Sequence, residues 1–209
     1  MERSAFNKRI YNFPTFMADV RSVIAHMDEL RTATRGGRVS RAFAEKIMLV
    51  VSQVNGCRYC TYGHTRAALA AGVSEAELQR LFRGEFGEFP EQEVVALTFA
   101  QHYAETRCQP DVQAWQRVVD FYGEQTAQDI LAFLRMITFG NLFGNTFDAL
   151  LSRLGGKPAP GSRLLDEIGV LCGAVVIIPI GFVLRLLSRW FPGLAQTRTE
   201  GEGSRIDLN

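Results

Sequence analysis

The sequence predicts an all-α fold: a multi-helix bundle with an added hydrophobic helix near the C-terminus. Apolar residues recur at spacings of three and four along most of the chain, which is the period of a helix with one buried face. No stretch alternates polar and apolar residues for long enough to predict a strand. The 209 residues are enough for one well-packed domain with an appendage.

The predicted helices follow one another between recognisable start and stop signals. They cover 14–33, 41–54, 57–72, 75–82, 90–105, 111–121, 124–151 and 164–191. Ser40 is a predicted N-cap, and Ser74 with Glu77 three residues later has the form of a capping box. Pro90 suits the first turn of a helix, and Gly123 separates two long helical segments.

Changes in composition divide the chain. Glycine and proline are concentrated in 154–162, which indicates a linker, and the last residues are polar. The predicted units are a helical domain (1–156), a linker (157–163), a hydrophobic helix (164–191) and a polar tail (192–209).

The hydrophobic segment has two interpretations. Residues 168–184 are seventeen in a row without a charge, which is close to the shortest length that spans a bilayer, about 17 residues. We expect either a membrane association through 164–187 or a helix buried between subunits of an oligomer. The N-terminus has no apolar run of the kind found in secretory signals, so we expect the main domain to be cytoplasmic.

Composition and charge narrow the function classes. The 23 basic and 22 acidic residues nearly balance, so nothing predicts nucleic-acid binding. Four cysteines are too few for a secreted disulfide scaffold. In reducing cytoplasm, closely spaced cysteines are more often catalytic or metal-binding than structural.

The stretch N-G-C-R-Y-C-T-Y-G-H places Cys57, Cys60 and His64 at the start of a predicted helix. Cys60 and His64 are then one turn apart on the same face, and Cys57 is one turn before Cys60. The partial positive charge of a helix N-terminus stabilises a thiolate, so this placement predicts a reactive dithiol with His64 as a proton carrier. Glu45 lies on the preceding helix, where it either faces His64, directly or through a water, or is a solvated carboxylate.

Three other interpretations of the two cysteines remain open. A structural zinc site needs four ligands, and this motif supplies at most three, so we predict no metal and no cofactor. The interpretation as inert buried thiols suits Cys108 and Cys172 better than it suits a pair of cysteines beside a histidine. A thioredoxin-type redox pair requires a βαβ context, which the predicted helices do not provide.

The stretch 45–74 resembles the core of the alkyl hydroperoxidase D-like group of the carboxymuconolactone decarboxylase superfamily. That group has a glutamate, eleven residues, C-x-x-C-x-x-x-H, and a small-residue helix, and Glu45, Cys57, Cys60 and His64 match it position by position. The stretch 129–155 is similar to a later helix of the family, and the resemblance covers roughly 14–156.

The resemblance implies an oxidoreductase that acts on peroxide, a thiol-dependent peroxidase or disulfide reductase, assembled as a homo-oligomer. Cys60 would attack the peroxide or disulfide substrate, Cys57 would resolve the intermediate, and His64 and Glu45 would move the proton. A separate disulfide reductant would supply electrons, and the fold would be the all-α bundle of the group.

The chain departs from the best-known members of the group at Tyr59, where they have a second histidine. A phenol does not exchange protons at neutral pH as imidazole does, so the efficiency of a peroxidase is in question. Two other functions stay open: a decarboxylase-like enzyme without redox chemistry, and a non-catalytic helical module anchored to a membrane.

Overall fold

The computed structural model describes residues 6–190, with side chains described as far as residue 181 and at residue 183. Over those residues it contains nine α-helices, one short 3-10 helix and no strand, which confirms the predicted all-α fold. The helices are α1 (Phe13–Ala25), α2 (Met27–Gly36), α3 (Arg41–Val54), α4 (Arg58–Ala70), α5 (Glu75–Arg83), α6 (Glu91–Glu105), α7 (Val112–Tyr122), α8 (Glu124–Leu154) and α9 (Leu164–Trp190). The hydrophobic C-terminal helix is α9, and the predicted polar tail, 192–209, lies outside the described residues.

Most helices begin where the capping signals place them. The Ser40 side chain accepts a hydrogen bond from the Phe43 N–H at the start of α3. Ser74 and Glu77 form both bonds of a capping box at the start of α5. These contacts satisfy N–H groups that have no partner within the helix, so local sequence is enough to fix where each helix starts.

One prediction about the helices is wrong: the single helix expected over 14–33 is two helices that meet at His26. The His26 ring nitrogen Nδ1 lies 2.8 Å from the Ser22 carbonyl oxygen, so the side chain competes for a carbonyl of the last turn of α1. Asp28 and Glu29 then stand in the first turn of α2, where negative charge favours a new helix N-terminus. The apolar period continues through this bend, which is why spacing alone does not reveal it.

The main core is built around α8. Its buried side chains meet those of α3 and α6, and Ile47, Leu97, Ile130 and Leu134 are fully buried there. Helices α3 and α4 form a hairpin against this core, and α4 also contacts α8. The dithiol stretch lies at the turn of that hairpin and is therefore held between two long helices.

A second cluster attaches the N-terminal arm, α1 and α9 to the other side of α8. Its buried members are Tyr11, Phe16, Val20, Leu142 and Val170. Glycines on α9 allow α1 to approach closely, because a Cβ at Gly173 would lie 3.0 Å from the Phe16 ring. Helix α9 is thus packed on the domain along one side.

A buried ion pair strengthens that attachment. Glu167 at the start of α9 is completely buried and accepts two hydrogen bonds from Arg153 of α8, at 2.8 and 3.0 Å. Charged groups of this kind are stable in a protein interior only when paired and hydrogen-bonded. The pair therefore fixes the direction in which α9 leaves the linker.

Two helices among the described residues are long and apolar enough to cross a membrane, Glu124–Leu154 and the part of α9 from Leu164 to Gly181. The first is α8, whose apolar residues are mostly buried in the core. The second is mostly exposed, and its outer side carries the apolar residues Leu165, Ile168, Val175, Val176, Ile180 and Val183. Helix α8 is apolar because it is buried in the core, whereas α9 carries many of its apolar residues on an exposed face.

Candidate functional site

Cys57 is the N-cap residue of α4. The chain turns at Gly56, which has a φ of 66° that suits glycine, and the Cys57 N–H returns to the Ser52 carbonyl oxygen at 3.0 Å. The Cys57 sulfur accepts a hydrogen bond from the Cys60 N–H at 3.3 Å. A sulfur in this position lies at the partially positive end of the helix dipole, which stabilises negative charge on the sulfur.

Cys57 and Cys60 are paired as a disulfide, with their Cα atoms 5.4 Å apart. Cys57 is completely buried, whereas Cys60 is partly exposed. The other two cysteines, Cys108 and Cys172, are free and lie elsewhere. The turn before α4 thus makes one sulfur accessible and buries its neighbour.

Glu45 and His64 face each other across the α3–α4 hairpin. Glu45 Oε2 lies 2.7 Å from His64 Nδ1, and Glu45 is 8% exposed. The next residue, Lys46, is also buried, but it points to other helices and pairs with Glu93 and Glu77. The hydrogen bond to Glu45 occupies Nδ1 of the imidazole, which leaves Nε2 for proton exchange with a bound molecule.

Helix α8 forms the opposite wall of the site, and Gly144 permits the close contact. A Cβ at Gly144 would lie 2.9 Å from the Cys57 sulfur and 3.7 Å from the Cys60 sulfur. An open groove of about 370 Å³ runs beside Cys60, with Phe143 and Phe147 of α8 along it. His64 also lines this groove, so the accessible sulfur and the imidazole face the same space.

Buried amides hold α8 at this distance from the hairpin. Asn141 donates to the Ser52 hydroxyl at 3.0 Å and accepts from the Asn55 side chain at 3.2 Å. Asn145 donates to the Asn55 carbonyl oxygen at 2.8 Å. These bonds join α8 to the residues just before Cys57, and sequence analysis did not identify either asparagine.

Tyr59 lies at the rim of the groove. Its hydroxyl accepts from Arg58 at 2.7 Å and donates to Asp148 at 3.4 Å, and Arg58 also pairs with Asp148. The hydrogen bond with Tyr59 raises the pKa of the Arg58 guanidinium above its usual value. Lys8 of the N-terminal arm reaches the same carboxylate at 2.6 Å. Tyr59 therefore connects α4 to α8.

Each predicted site residue has a definite place. The structure brings Cys57, Cys60, His64 and Glu45 together at the α3–α4 hairpin. Over residues 6–190, no three histidine, cysteine or acidic side chains are grouped as a metal site would require. The residues that sequence reasoning missed are the α8 wall, Gly144 with Asn141 and Asn145. Their i, i+4 spacing was the available signal, since it places Asn141 and Asn145 on one helix face.

Two of three comparisons with known proteins found a match. The model of the carboxymuconolactone decarboxylase family matches residues 21–101, a range that contains all four predicted site residues. The chain is similar to the uncharacterized protein YdfG of Bacillus subtilis (strain 168), with 27% identity over 118 residues, or 55% of this chain and 80% of that protein. None of the solved structures matches the chain. The family match covers less than half of the chain, so membership of the carboxymuconolactone decarboxylase superfamily stays a prediction, as does membership of its alkyl hydroperoxidase D-like group.

Proposed function

We propose that this protein is a thiol-dependent peroxidase or disulfide reductase that uses Cys57 and Cys60 as its redox pair. The proposal rests on one arrangement: a disulfide pair at a helix N-terminus whose accessible sulfur shares a groove with a histidine held by a buried carboxylate. Structural thiols need neither the groove nor the paired histidine, and a reactive thiolate benefits from both.

Exposure assigns the roles of the two sulfurs. Cys60 is the partly exposed member, so its thiolate attacks the peroxide and displaces an alkoxide or hydroxide. The Cys60 sulfur becomes a sulfenic acid, and the peroxide is reduced to an alcohol or water. The Cys57 thiol then attacks the Cys60 sulfur, forms the disulfide and releases water.

His64 supplies the proton for the leaving oxygen. With Nδ1 bonded to Glu45, Nε2 takes the proton of the Cys60 thiol, and the resulting imidazolium donates that proton to the leaving oxygen. Solvent can also exchange protons with the ring, because the His64 side chain is 27% exposed. The carboxylate fixes the orientation of the ring and stabilises the imidazolium that forms.

A separate dithiol or thiol reductant closes the cycle. It attacks Cys60, the accessible sulfur, and the Cys57 thiolate leaves. The Cys60 N–H that bonds to the Cys57 sulfur stabilises this leaving thiolate. A second reductant thiol then attacks the reductant sulfur of the mixed disulfide, and the Cys60 thiolate leaves. Two electrons have then passed from the reductant to the disulfide, and the dithiol is restored.

A peroxide-consumption assay with a dithiol reductant tests the proposal. Replacing Cys60 with serine removes the attacking sulfur, so we expect turnover to fall to the uncatalysed rate. Cys172→Ser is the matched control, because Cys172 is an exposed free cysteine on α9. Equal rates in the wild type and Cys60→Ser would contradict the redox role, and turnover of a lactone acid with both thiols blocked would favour a decarboxylase.

We further propose that α9 associates with an anionic membrane surface. Its outer side is apolar from Leu165 to Val183, and the exposed cations Lys157 and Arg163 precede it, as in helices that lie at the lipid headgroups. Because α1 packs beside Gly169 and Gly173, a helix lying in the plane of the membrane fits better than a span.

Flotation with anionic vesicles tests this association. The double change Val175→Lys and Ile180→Lys alters only exposed positions, so the fold should persist while vesicle binding is lost. Equal vesicle binding of the double variant would refute the membrane proposal. So would a wild-type oligomer that the double change dissociates in the absence of vesicles.

A further inference from the structure

A second cavity, of about 140 Å³, lies between α1, α2, the end of α6 and α8. It shares no lining residue with the groove beside Cys60. Its polar lining residues are Asp19, Ser22, His26, Tyr103, Cys108, Arg135 and Thr138. The proposed redox chemistry uses none of these residues, so the cavity needs an explanation of its own.

Thr138 is the unusual member of this lining. Three serine and threonine side chains are buried within the described helices, those of Ser52, Thr138 and Thr146. Ser52 donates to the carbonyl of Met48 at 2.8 Å and Thr146 to that of Leu142 at 2.7 Å, the usual solution for a helix interior. Thr138 is 5% exposed, and its hydroxyl has no hydrogen-bond partner in the protein. A buried hydroxyl without a partner costs about 1–3 kcal/mol, so a ligand that bonded to it would gain affinity.

Tyr103 adds a second hydroxyl to the same cavity. It is 5% exposed, and burial together with its hydrogen bond to Cys108 raises the pKa of Tyr103 well above its usual value. The phenol therefore stays protonated at physiological pH. The lining of the cavity thus contains two neutral hydroxyl groups, of Thr138 and Tyr103, beside its charged residues.

The charged groups at the cavity have partners already. Arg135 pairs with Glu29 at 3.3 Å, and Asp19 accepts a hydrogen bond from the Tyr11 hydroxyl at 2.8 Å. His26 bonds to the Ser22 carbonyl oxygen through Nδ1. An anion would meet Asp19 and a cation would meet Arg135, so this lining fits a neutral molecule better than an ion.

We propose that this cavity binds a small neutral molecule that joins a hydroxyl group to an apolar ring or short chain, with the hydroxyl bonded to Thr138. The remaining walls include Leu131 and Phe139, which suit the apolar part. Size agrees with a molecule such as phenol, because an apolar cavity of about 150 Å³ accommodates benzene. The proposal is independent of the redox function.

Phenol is the probe for the test, with the full-length protein titrated and followed by NMR signals of residues 131–139. Thr138→Val keeps the shape of the side chain and removes the hydroxyl, so phenol affinity should fall roughly threefold to tenfold. Benzene affinity should not fall in the same variant, which also shows that the cavity is intact. Thr138→Ser should retain phenol affinity, and Thr34→Val is the control for the same chemical change at an exposed position of α2.

Three results would overturn the proposal. The first is no perturbation of residues 131–139 by phenol. The second is equal phenol affinity in the wild type and Thr138→Val. The third is a crystal soaked with phenol in which only an ordered water contacts the Thr138 hydroxyl.

Discussion

Replacing Gly144 with alanine tests the contact between α8 and the dithiol. The new Cβ would lie 2.9 Å from the Cys57 sulfur, closer than such atoms normally approach. Neither side can move freely, because Cys57 is completely buried and hydrogen bonds from Asn141 and Asn145 hold α8 in place. Overpacking of this kind costs about 1–3 kcal/mol, and the better helix propensity of alanine offsets about 0.5–1 kcal/mol. We therefore expect the free energy of unfolding to fall by up to about 2.5 kcal/mol.

Gly140→Ala is the matched control for that experiment. Gly140 lies one turn earlier on α8 and lines the same groove, but a Cβ there would meet no atom within 4 Å. This control should gain about 0.5–1 kcal/mol from helix propensity. Urea unfolding of both oxidised variants measures the difference, and peroxide turnover should fall only in Gly144→Ala. Equal unfolding free energies for the two variants would refute the proposed close contact.

Two further predictions concern carboxylates. Glu45→Gln should slow the alkylation of Cys60 at neutral pH, measured by mass spectrometry on the reduced protein, since the histidine loses its anionic partner; an unchanged rate would contradict the relay. Burial alone would raise the pKa of Glu167, but hydrogen bonds from Arg153 and Ser162 and the Arg153 charge bring it below 4.5. A depressed pKa gives stability that is present above the unfolded value and lost as pH falls through the folded value. In urea unfolding, the gap between wild type and Glu167→Gln should therefore shrink below about pH 4.5, and a constant gap would contradict this origin.

Local signals predicted the start of most helices because the groups that decide it are neighbours in sequence. Ser74 and Glu77 satisfy each other within one turn, and Ser40 needs only the Phe43 N–H. The spacing of Cys57, Cys60 and His64 predicted their common helix for the same reason. Contacts confined to one turn can be read from one turn of sequence.

Features that depend on a distant segment could not be read in this way. Glu167 stands in an acidic first turn that looks solvated, yet it is completely buried because Arg153 reaches it from α8. The hydrophobic run of α9 looked apolar all round, but glycines on one side pack against α1 and leave the other side uncovered. Spacing within α9 does not state which helix will cover which side.

The α8 wall is the clearest example of a feature that depends on a distant segment, because the sequence of α8 contains a repeat whose partner it does not identify. Gly140 and Gly144 are four residues apart, and so are Asn141 and Asn145, so each pair lies on one side of α8, one turn apart. That pattern indicates close packing and buried hydrogen bonds, but it does not identify the partner. Once the α3–α4 hairpin supplies the partner, Gly144 leaves room for the sulfurs and the amides bind the turn before Cys57. Helix α8 thus sets the distance between the dithiol and the opposite wall of the groove, although α8 lies outside the motif that suggested the chemistry.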